Sequence, residues 1–185
     1  MKKFYLMLTC VALMATTQLS IAGTRPLAAP AISTFGTFGT DSLQHIVESR
    51  HGQSFVLVLW SLDCTYCQSS MATLAKGRAG NSSLQVVTLL TEQAPQQKAA
   101  ALMRSKLGYL GLATGKGAGA ENWAFGTAPP EQLRFVVDPA WHGELPRSYW
   151  YHADGSRTAY SGVITTGLIQ KMLAQENREY KLSQQ

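Results

Sequence analysis

One short segment limits the fold of this chain more than any other. A continuous apolar run, Phe55–Trp60, is followed after a brief turn by Cys64-Thr-Tyr-Cys67. An unbroken β-rich run of this kind is typical of a strand that is buried on both faces. From Cys64 to about Gly77 the apolar residues recur instead at helical spacing. We therefore expect a buried strand that carries two cysteines to the first turn of a helix.

The surrounding sequence repeats this alternation of strand and helix. Residues 84–90 form a second apolar run, and residues 94–107 are rich in good helix formers. An earlier helix is predicted to begin at Asp41, as its N-cap, and to stop at Gly52. Strands and helices in alternation favour an α/β fold in which neighbouring strands are parallel and their crossovers are right-handed.

The second half of the chain is less regular. Residues 108–127 are rich in glycine and are predicted to form an irregular insertion. Residues 133–137 are predicted to form a short strand or the end of a helix-strand unit. Residues 147–152 and 157–162 are predicted to form a hairpin, with its turn at Asp154-Gly155. An amphipathic helix over residues 165–179 closes the domain.

The N-terminus has the pattern of a secretory signal peptide. Lys2 and Lys3 precede an apolar stretch over residues 4–15, and Ser20 and Ala22 supply the small residues of a cleavage site. The apolar stretch is shorter than the ~20 residues that a membrane-spanning helix needs. We therefore expect cleavage after Ala22 rather than a retained anchor, and we expect the mature protein in the periplasm.

The predicted organisation has three parts. They are a signal peptide over residues 1–22, a flexible N-terminal arm over residues 23–40 and one domain over residues 41–185. The third cysteine of the chain lies in the signal peptide, so Cys64 and Cys67 are the only cysteines of the exported part. Disulfides form and persist in such a compartment.

Composition and charge exclude several classes of protein. Hydrophobic residues make up 45% of the chain and charged residues 15%, which is typical of a globular protein and not of a disordered one. The 16 basic and 11 acidic residues give a formal net charge of +5, but the basic residues are scattered along the chain. We therefore expect no nucleic-acid partner.

The spacing of the two cysteines has a chemical purpose. Cysteines at positions i and i+3 in a first helical turn can close a disulfide with little backbone movement. The free N–H groups and the positive end of the helix dipole lower the pKa of the first thiol. Cys64 is then the attacking thiolate, and Cys67, one turn further in, resolves the mixed disulfide.

Two other uses of the cysteine pair compete with redox catalysis. A static disulfide across so short a loop would add little stability by the loop-entropy estimate. A zinc site needs four ligands, and the other candidates are the isolated histidines His45, His51, His142 and His152. A redox-active pair is favoured over both, and we expect no metal and no organic cofactor.

Two segments resemble the thioredoxin fold. FVLVLWSLDCTYC resembles its active-site strand and turn, and GELPRSYWYHADGSRTAYSG resembles its second half, with a proline, a hairpin and a glycine before the last helix. The helix before the first strand, the insertion and the export signal are similar to the TlpA/ResA-like periplasmic branch. The resemblance covers residues 41–180, approximately, and implies a mixed central β-sheet flanked by helices.

The resemblance also implies a substrate-binding surface beside the catalytic pair. Pro146 would be a cis-proline that faces the cysteines. Tyr66 would lie exposed between the cysteines, and Trp60 would pack beside them. The candidate substrate-binding residues are Trp60, Tyr66, Leu145, Pro146 and Arg147.

The chain departs from the thioredoxin pattern at positions that bear on the direction of electron flow. Many thioredoxins carry a buried Asp where this chain has Val58, so the usual proton acceptor for the second cysteine is missing. Asp63 places a negative charge beside Cys64, which raises the pKa of that thiol and makes the pair more reducing. Arg147 would act in the opposite sense if it faced the cysteines. Glu144 is a candidate to handle a proton, although a solvated loop charge is the simpler interpretation.

These observations favour a periplasmic thiol-disulfide oxidoreductase that reduces disulfides in exported client proteins. Its clients would be apocytochromes or an envelope assembly such as a secretion or conjugation apparatus. A thiol reductase in the membrane would supply its electrons, and a monomer is expected. The alternatives are a disulfide oxidase or isomerase serving the same assemblies, and a non-catalytic thioredoxin-like binding module.

Overall fold

The computed structural model describes residues 35–93, 101, 105–112 and 120–183. The predicted signal peptide and residues 23–34 of the predicted arm lie outside this part of the chain. The predicted helix over 94–107 is described only at residues 101 and 105–107, which are helical, and the helical stretch continues to residue 109. No helix in the described ranges has the length and apolar character needed to cross a bilayer.

A mixed sheet of six strands forms the centre of the described region. Its strands are β1 (Gly36–Phe38), β2 (Phe55–Trp60), β3 (Gln85–Leu90), β4 (Ala120–Phe125), β5 (Arg147–Tyr151) and β6 (Arg157–Ser161). They lie in the order β1-β4-β3-β2-β5-β6. The pairs β1–β4, β4–β3 and β3–β2 are parallel, whereas β2–β5 and β5–β6 are antiparallel. The predicted mixed central sheet is therefore confirmed.

Helices connect the strands and cover both faces of the sheet. They are α1 (Ser42–Glu48), α2 (Thr65–Gly80), α3 (Pro130–Val137) and α4 (Thr166–Ser183). Helix α2 joins the parallel strands β2 and β3, as the alternation of elements predicts. The hairpin of β5 and β6 is also as predicted, with Gly155 at a φ of 86° in its turn.

Strand β2 separates two hydrophobic cores. Its even-numbered residues pack on one face with Cys67 and Met71 of α2, in what we call the α2-side core. Its odd-numbered residues pack on the other face with Ile46 of α1 and Leu133 of α3, in what we call the α1-side core. No residue of β2 is more than 4% exposed. The strand is therefore buried on both faces, as its apolar composition predicts.

Two strands lie where the sequence predicts irregular structure. Strand β1 falls in the predicted flexible arm, and strand β4 falls in the predicted insertion over 108–127. β1 has only three residues, and β4 carries polar side chains, so neither has a strong strand pattern. Both are strands because they extend the sheet: β4 pairs with the buried strand β3, and β1 pairs with β4. The sequence-based expectation is corrected for these residues.

Residues 133–137 belong to helix α3 and not to the predicted short strand. Their composition suits a strand, but Pro130 occupies the first turn of a helix, where its missing N–H has no intrahelical partner to lose. Leu133 and Val137 are buried in the α1-side core, while Phe135 between them is 65% exposed. That pattern is helical, since residues four apart share a face.

A Gly36→Ala substitution is expected to destabilise the domain by roughly 1–3 kcal/mol. A Cβ atom at Gly36 would overlap the indole ring of Trp123 on the neighbouring strand β4. The indole ring or one of the two strands would then have to shift. Gly108→Ala is the matched control, because a Cβ atom there meets nothing within 4 Å. Urea unfolding measures both variants, and equal stabilities would contradict the close packing of β1 on β4.

Candidate functional site

The two cysteines form a disulfide at the N-terminus of α2. Cys64 is the N-cap residue, and its Sγ atom accepts the backbone N–H of Cys67 at 3.1 Å. The two Cα atoms are 5.2 Å apart, which is within the usual range for a disulfide. Cys67 is completely buried in the α2-side core, whereas Cys64 is partly exposed. One sulfur is thus reachable and the other is protected, as an attacking and a resolving thiol require.

The N-cap position favours the nucleophilic form of Cys64. When the disulfide is reduced, this sulfur lies where the first N–H groups of the helix have no intrahelical partner. These groups and the positive end of the helix dipole stabilise a negative charge at that place. The thiolate of Cys64, which is its nucleophilic form, is stabilised as a result. The adjacent and exposed Asp63 acts in the opposite sense.

The turn before Cys64 is held by side chains from other parts of the chain. The N–H of Leu62 donates to Glu92 Oε1 at 3.1 Å. The carbonyl of Leu62 accepts from Gln68 Nε2 at 3.1 Å and from Lys106 Nζ at 2.7 Å. Sequence reasoning missed Glu92 and Lys106, which lie 30 and 44 residues from Leu62. No spacing or motif relates them to the cysteine turn.

The proline loop before β5 is fixed on both sides of a cis bond. The Leu145–Pro146 peptide bond is cis, as the resemblance implies. The carbonyl of Pro146 accepts the N–H of Gly162 at 2.9 Å, and the carbonyl of Glu144 accepts the indole N–H of Trp141 at 2.9 Å. Pro146 is buried, and Leu145 packs against both cores.

Arg147 is paired with carboxylates on the α1 side of the sheet. Its guanidinium group donates to Asp138 Oδ2 at 3.2 Å and to Glu144 Oε1 at 3.3 Å. It also donates to Ser161 Oγ at 2.6 Å and lies 5.0 Å from the ring centre of Tyr149. Alternate residues of β5 share a face, so Arg147 lies on the side of Tyr149 and the α1-side core. The cysteine helix packs on the other face, and this geometry gives no support for thiolate stabilisation by Arg147.

Asp138 is the centre of this charged network. Burial alone would raise the pKa of its carboxyl group. The N–H of Ala140 and the hydroxyl of Tyr149 lower that pKa, and the guanidinium groups of Arg147 and Arg157 lower it further. The resulting pKa is below the ordinary value of 3.8. Burial, together with the hydrogen bond to Asp138, raises the pKa of Tyr149 to about 12, so the phenol stays a hydrogen-bond donor at neutral pH.

Glu144 belongs to the same network. Burial would raise the pKa of its carboxyl group, but the hydroxyl of Ser161, backbone N–H groups and the charge of Arg147 together lower that pKa below its ordinary value. Ser161 Oγ donates to Glu144 Oε1 at 2.8 Å. Glu144 is therefore ionised and hydrogen-bonded to Ser161 and Arg147 at neutral pH, and this geometry gives no support for a role in proton transfer.

The two aromatic candidates beside the cysteines occupy opposite environments. Tyr66 is 69% exposed between the cysteines, so its ring is available to a client. Trp60 is 0% exposed in the α2-side core, and its Nε1 atom has no hydrogen-bond partner among the described residues. Trp60 packs beside the site as expected, but a fully buried ring cannot bind a client. The structure therefore gives no support for direct contact between Trp60 and a client.

A row of four buried residues, three of them polar, crosses the sheet on the α2 side. Ser148, Val58, Thr88 and Asn122 are neighbours in register on β5, β2, β3 and β4, and none is more than 1% exposed. Thr88 Oγ1 donates to Asn122 Oδ1 at 2.5 Å, and Asn122 Nδ2 donates to the carbonyl of Leu112 at 3.1 Å. Val58 is the apolar member of the row, and no carboxylate from the described residues takes the place of the missing acid there.

A zinc site would need two further ligands beside the cysteines. Among the residues that the structure describes, no group of three or more His, Cys, Asp and Glu side chains could hold a metal ion. The two sulfur atoms are instead bonded to each other. The geometry therefore favours disulfide chemistry at this site.

No protein-family model matches the sequence, and no curated protein matches it at a significant level. Solved structures do match. A secreted Mycobacterium tuberculosis disulfide oxidoreductase homologous to E. coli DsbE has a TM-score of 0.51 at 18% identity, over 69% of this chain and 84% of that chain. A DsbF homologue from Corynebacterium diphtheriae has a TM-score of 0.52 at 12% identity, over 70% of this chain and 75% of that chain. A thiol-disulfide isomerase from Corynebacterium glutamicum has a TM-score of 0.50 at 14% identity, over 69% of this chain and 82% of that chain.

The chain has a thioredoxin-like fold. In this thioredoxin-like fold, the cysteine turn follows β2 and the cis-proline loop precedes β5. The two strands are antiparallel neighbours, with Leu59 opposite Arg147. Trp60, which follows Leu59, and Pro146, which precedes Arg147, therefore lie at the same end of the sheet. The thioredoxin-like topology thus brings the cis-proline loop and the cysteine turn to one edge.

Asp138→Asn is expected to destabilise the domain by roughly 1–3 kcal/mol at neutral pH, because the guanidinium groups of Arg147 and Arg157 lose their buried counter-charge. The folded-state pKa of Asp138 is lowered, so its contribution to stability is complete above the ordinary value of 3.8. That contribution is lost as the pH falls through the folded-state pKa. The wild type should therefore lose more stability in acid than the variant does.

Urea unfolding from neutral pH down to about pH 2 measures this difference. Glu131→Gln is the matched control, because it removes an exposed carboxylate of α3 whose partner among the described residues is Arg134. The control should lie within about 0.5 kcal/mol of the wild type. Parallel pH profiles for the wild type and Asp138→Asn would contradict the role of the Asp138 charge.

Proposed function

We propose that this chain is an extracytoplasmic thiol-disulfide oxidoreductase that reduces disulfides in exported client proteins. The observation that carries the proposal is the Cys64–Cys67 disulfide at the N-terminus of α2, with one sulfur partly exposed and the other buried. The cis-proline loop at the same edge of the sheet supports it. The matched Mycobacterium tuberculosis protein is described as secreted, and the N-terminal sequence pattern of this chain also favours export.

Reduction of a client proceeds through two thiol-disulfide exchanges. The Cys64 thiolate attacks one sulfur of the client disulfide, a Cys64–client S–S bond forms, and the other client sulfur leaves as a thiolate. The Cys67 thiolate then attacks the Cys64 sulfur, which forms the Cys64–Cys67 disulfide and releases the second client thiolate. Two electrons pass to the client, whose thiolates take up protons from water. A membrane thiol reductase with a dithiol would restore the reduced pair.

The charges around the cysteines support a reductase rather than an oxidant. Asp63 is exposed next to Cys64 and disfavours its thiolate. Arg147, which would oppose this effect if it faced the cysteines, is instead engaged by Asp138 and Glu144. A pair whose reduced form is less stabilised has a lower reduction potential.

Client recognition is proposed to use the exposed surface around the reactive sulfur. Tyr66 offers an exposed ring directly beside it, and Leu145 and Pro146 border the same edge of the sheet. Pro146 has no backbone N–H, so it shapes the groove without pairing there. Clients of suitable chemistry would be the haem-binding cysteines of apocytochromes or the disulfides of an envelope assembly such as a secretion or conjugation apparatus.

A disulfide oxidase or isomerase is the second candidate. One observation favours it: the helix N-terminus caps the Cys64 sulfur and stabilises the thiolate of the reduced pair. A stabilised reduced form makes a pair more oxidising. The reduction potential measures the balance between this effect and the charge of Asp63.

The reduction potential of Cys64–Cys67 is expected to be near or below roughly −220 mV. The physical reason is the charge of Asp63 beside a thiolate that has no free guanidinium partner. The protein would be equilibrated in a series of thiol/disulfide buffers, and its free thiols would be counted after alkylation. A potential near about −120 mV would identify an oxidant and reject the reductase.

Cys67→Ser is expected to trap clients as mixed disulfides on Cys64, because the resolving thiol is absent. Non-reducing electrophoresis of extracts from cells that express the variant would show adducts that a reductant removes. Cys64→Ser is the matched control and should form none, since its remaining thiol is completely buried. If Cys67→Ser formed no more adducts than this control, the result would favour a non-catalytic binding module over a redox enzyme. Partner binding by such a module would survive Cys64→Ser.

A further inference from the structure

The backbone that leads into Cys64 passes between a carboxylate and an ammonium group. Glu92 Oε1 accepts the N–H of Leu62 at 3.1 Å, and Lys106 Nζ donates to the carbonyl of the same residue at 2.7 Å. The N–H of Cys64 donates to the carbonyl of Ser61 at 3.3 Å, so Leu62 lies inside a tight turn. The two charged side chains therefore hold the turn that presents the reactive sulfur.

Packing fixes the position of Lys106. The next residue, Leu107, and also Leu112 are completely buried in the α2-side core, which contains Cys67. The N–H of Leu112 donates to the carbonyl of Leu107 at 2.8 Å, and Asn122 Nδ2 donates to the carbonyl of Leu112 at 3.1 Å. The segment is thus tied both to the core and to strand β4. The buried contacts of these neighbouring residues therefore hold the Lys106 backbone close to the turn.

Lys106 brings a positive charge to a turn that otherwise carries negative charges. Asp63 follows Leu62 directly, and Glu92 binds the turn from the loop after β3. Even a fully extended chain would place the Lys106 ammonium within roughly 12 Å of the Cys64 Cα atom. That limit is comparable to the screening length of about 10 Å at 0.1 M ionic strength. A charge at this range changes the free energy of a thiolate relative to a thiol.

We infer that Lys106 and Glu92 are positioning residues that hold the cysteine turn and that their opposed charges set the redox equilibrium of the Cys64–Cys67 pair. Lys106 stabilises the reduced, thiolate-bearing form, and Glu92 destabilises it. The inference rests on the proposed thiol-disulfide chemistry and adds to it the residues that tune it. Neither side chain exchanges electrons or protons with the client.

Lys106→Met is expected to shift the equilibrium with glutathione about threefold toward the disulfide, which corresponds to about 14 mV at 29.6 mV per tenfold change. Methionine keeps an unbranched side chain but removes the charge and the donor. Lys106→Arg restores both and should return the equilibrium toward the wild-type value. In the reduced protein, the pH at which Cys64 becomes half-reactive toward an alkylating agent should rise in Lys106→Met.

Glu92→Gln provides the opposite change. Its amide oxygen can still accept the N–H of Leu62, but the negative charge is gone, so the equilibrium should shift toward the reduced form. Lys171→Met is the matched charge control, because it removes an exposed lysine from α4. Its equilibrium should stay within the error of the wild type. Urea unfolding of every variant would verify that each is folded.

Opposite shifts from Lys106→Met and Glu92→Gln support the inference, since loss of turn rigidity alone would not reverse sign with charge. Shifts in the same direction, or values equal to the Lys171→Met control, would overturn it. If Lys106→Met failed to fold, Glu92→Gln and Lys106→Arg would still decide the question. A wild-type pair that does not exchange with glutathione rejects the proposed function instead, and the alkylation profiles then test the charge effect separately.

Discussion

Strand β2 is buried on both faces and hydrogen-bonded along both edges, and the rest of the structure is arranged around it. On one edge it pairs with the parallel strand β3 and on the other with the antiparallel strand β5. Its side chains enter two different cores. A slip of one residue would exchange the two sets of side chains, so the register is strongly specified. The place at which the chain leaves β2, and with it the position of Cys64, is fixed by this burial.

The sheet keeps two groups of charges apart. On the α1 side, the ion pair of Arg147 and Asp138 joins the end of α3 to the start of β5. Together with the hydrogen bond from Trp141 to Glu144, it stabilises the cis-proline loop. At the cysteine turn, Glu92 and Lys106 hold the backbone of Leu62. The first group explains how a cation next to the cis-proline can be structural. The second brings two charged side chains to the turn before Cys64 from segments that are distant in sequence.

Sequence patterns predicted the elements whose signal is local. The apolar run of β2, the helix that begins at the cysteines and the turn at Gly155 are read from a few consecutive residues each, and all three are present. The cis bond at Pro146 followed from the resemblance and not from any pattern of hydrophobicity.

The elements that the sequence did not predict depend on contacts between distant segments. β1 and β4 are strands because of the strands beside them. The orientation of Arg147 depends on Asp138, which belongs to another element, and the place of Lys106 depends on the buried contacts of Leu107 and Leu112. Helix α3 is different, because its sequence does contain a local helix signal. Pro130 favours the start of a helix, but the apolar residues that follow it also suit a strand.

The sulfur of Cys64 has two tasks at once, since the atom that attacks is also the atom that caps α2. Its hydrogen-bonding strength changes with its chemical state, because a thiolate is a stronger acceptor than a disulfide sulfur. On reduction the first turn of α2 thus loses a covalent link between its ends and gains a stronger hydrogen bond from the N–H of Cys67 to Cys64. Hydrogen exchange at the amide of Cys67 would then follow the redox state of the protein without any label or client.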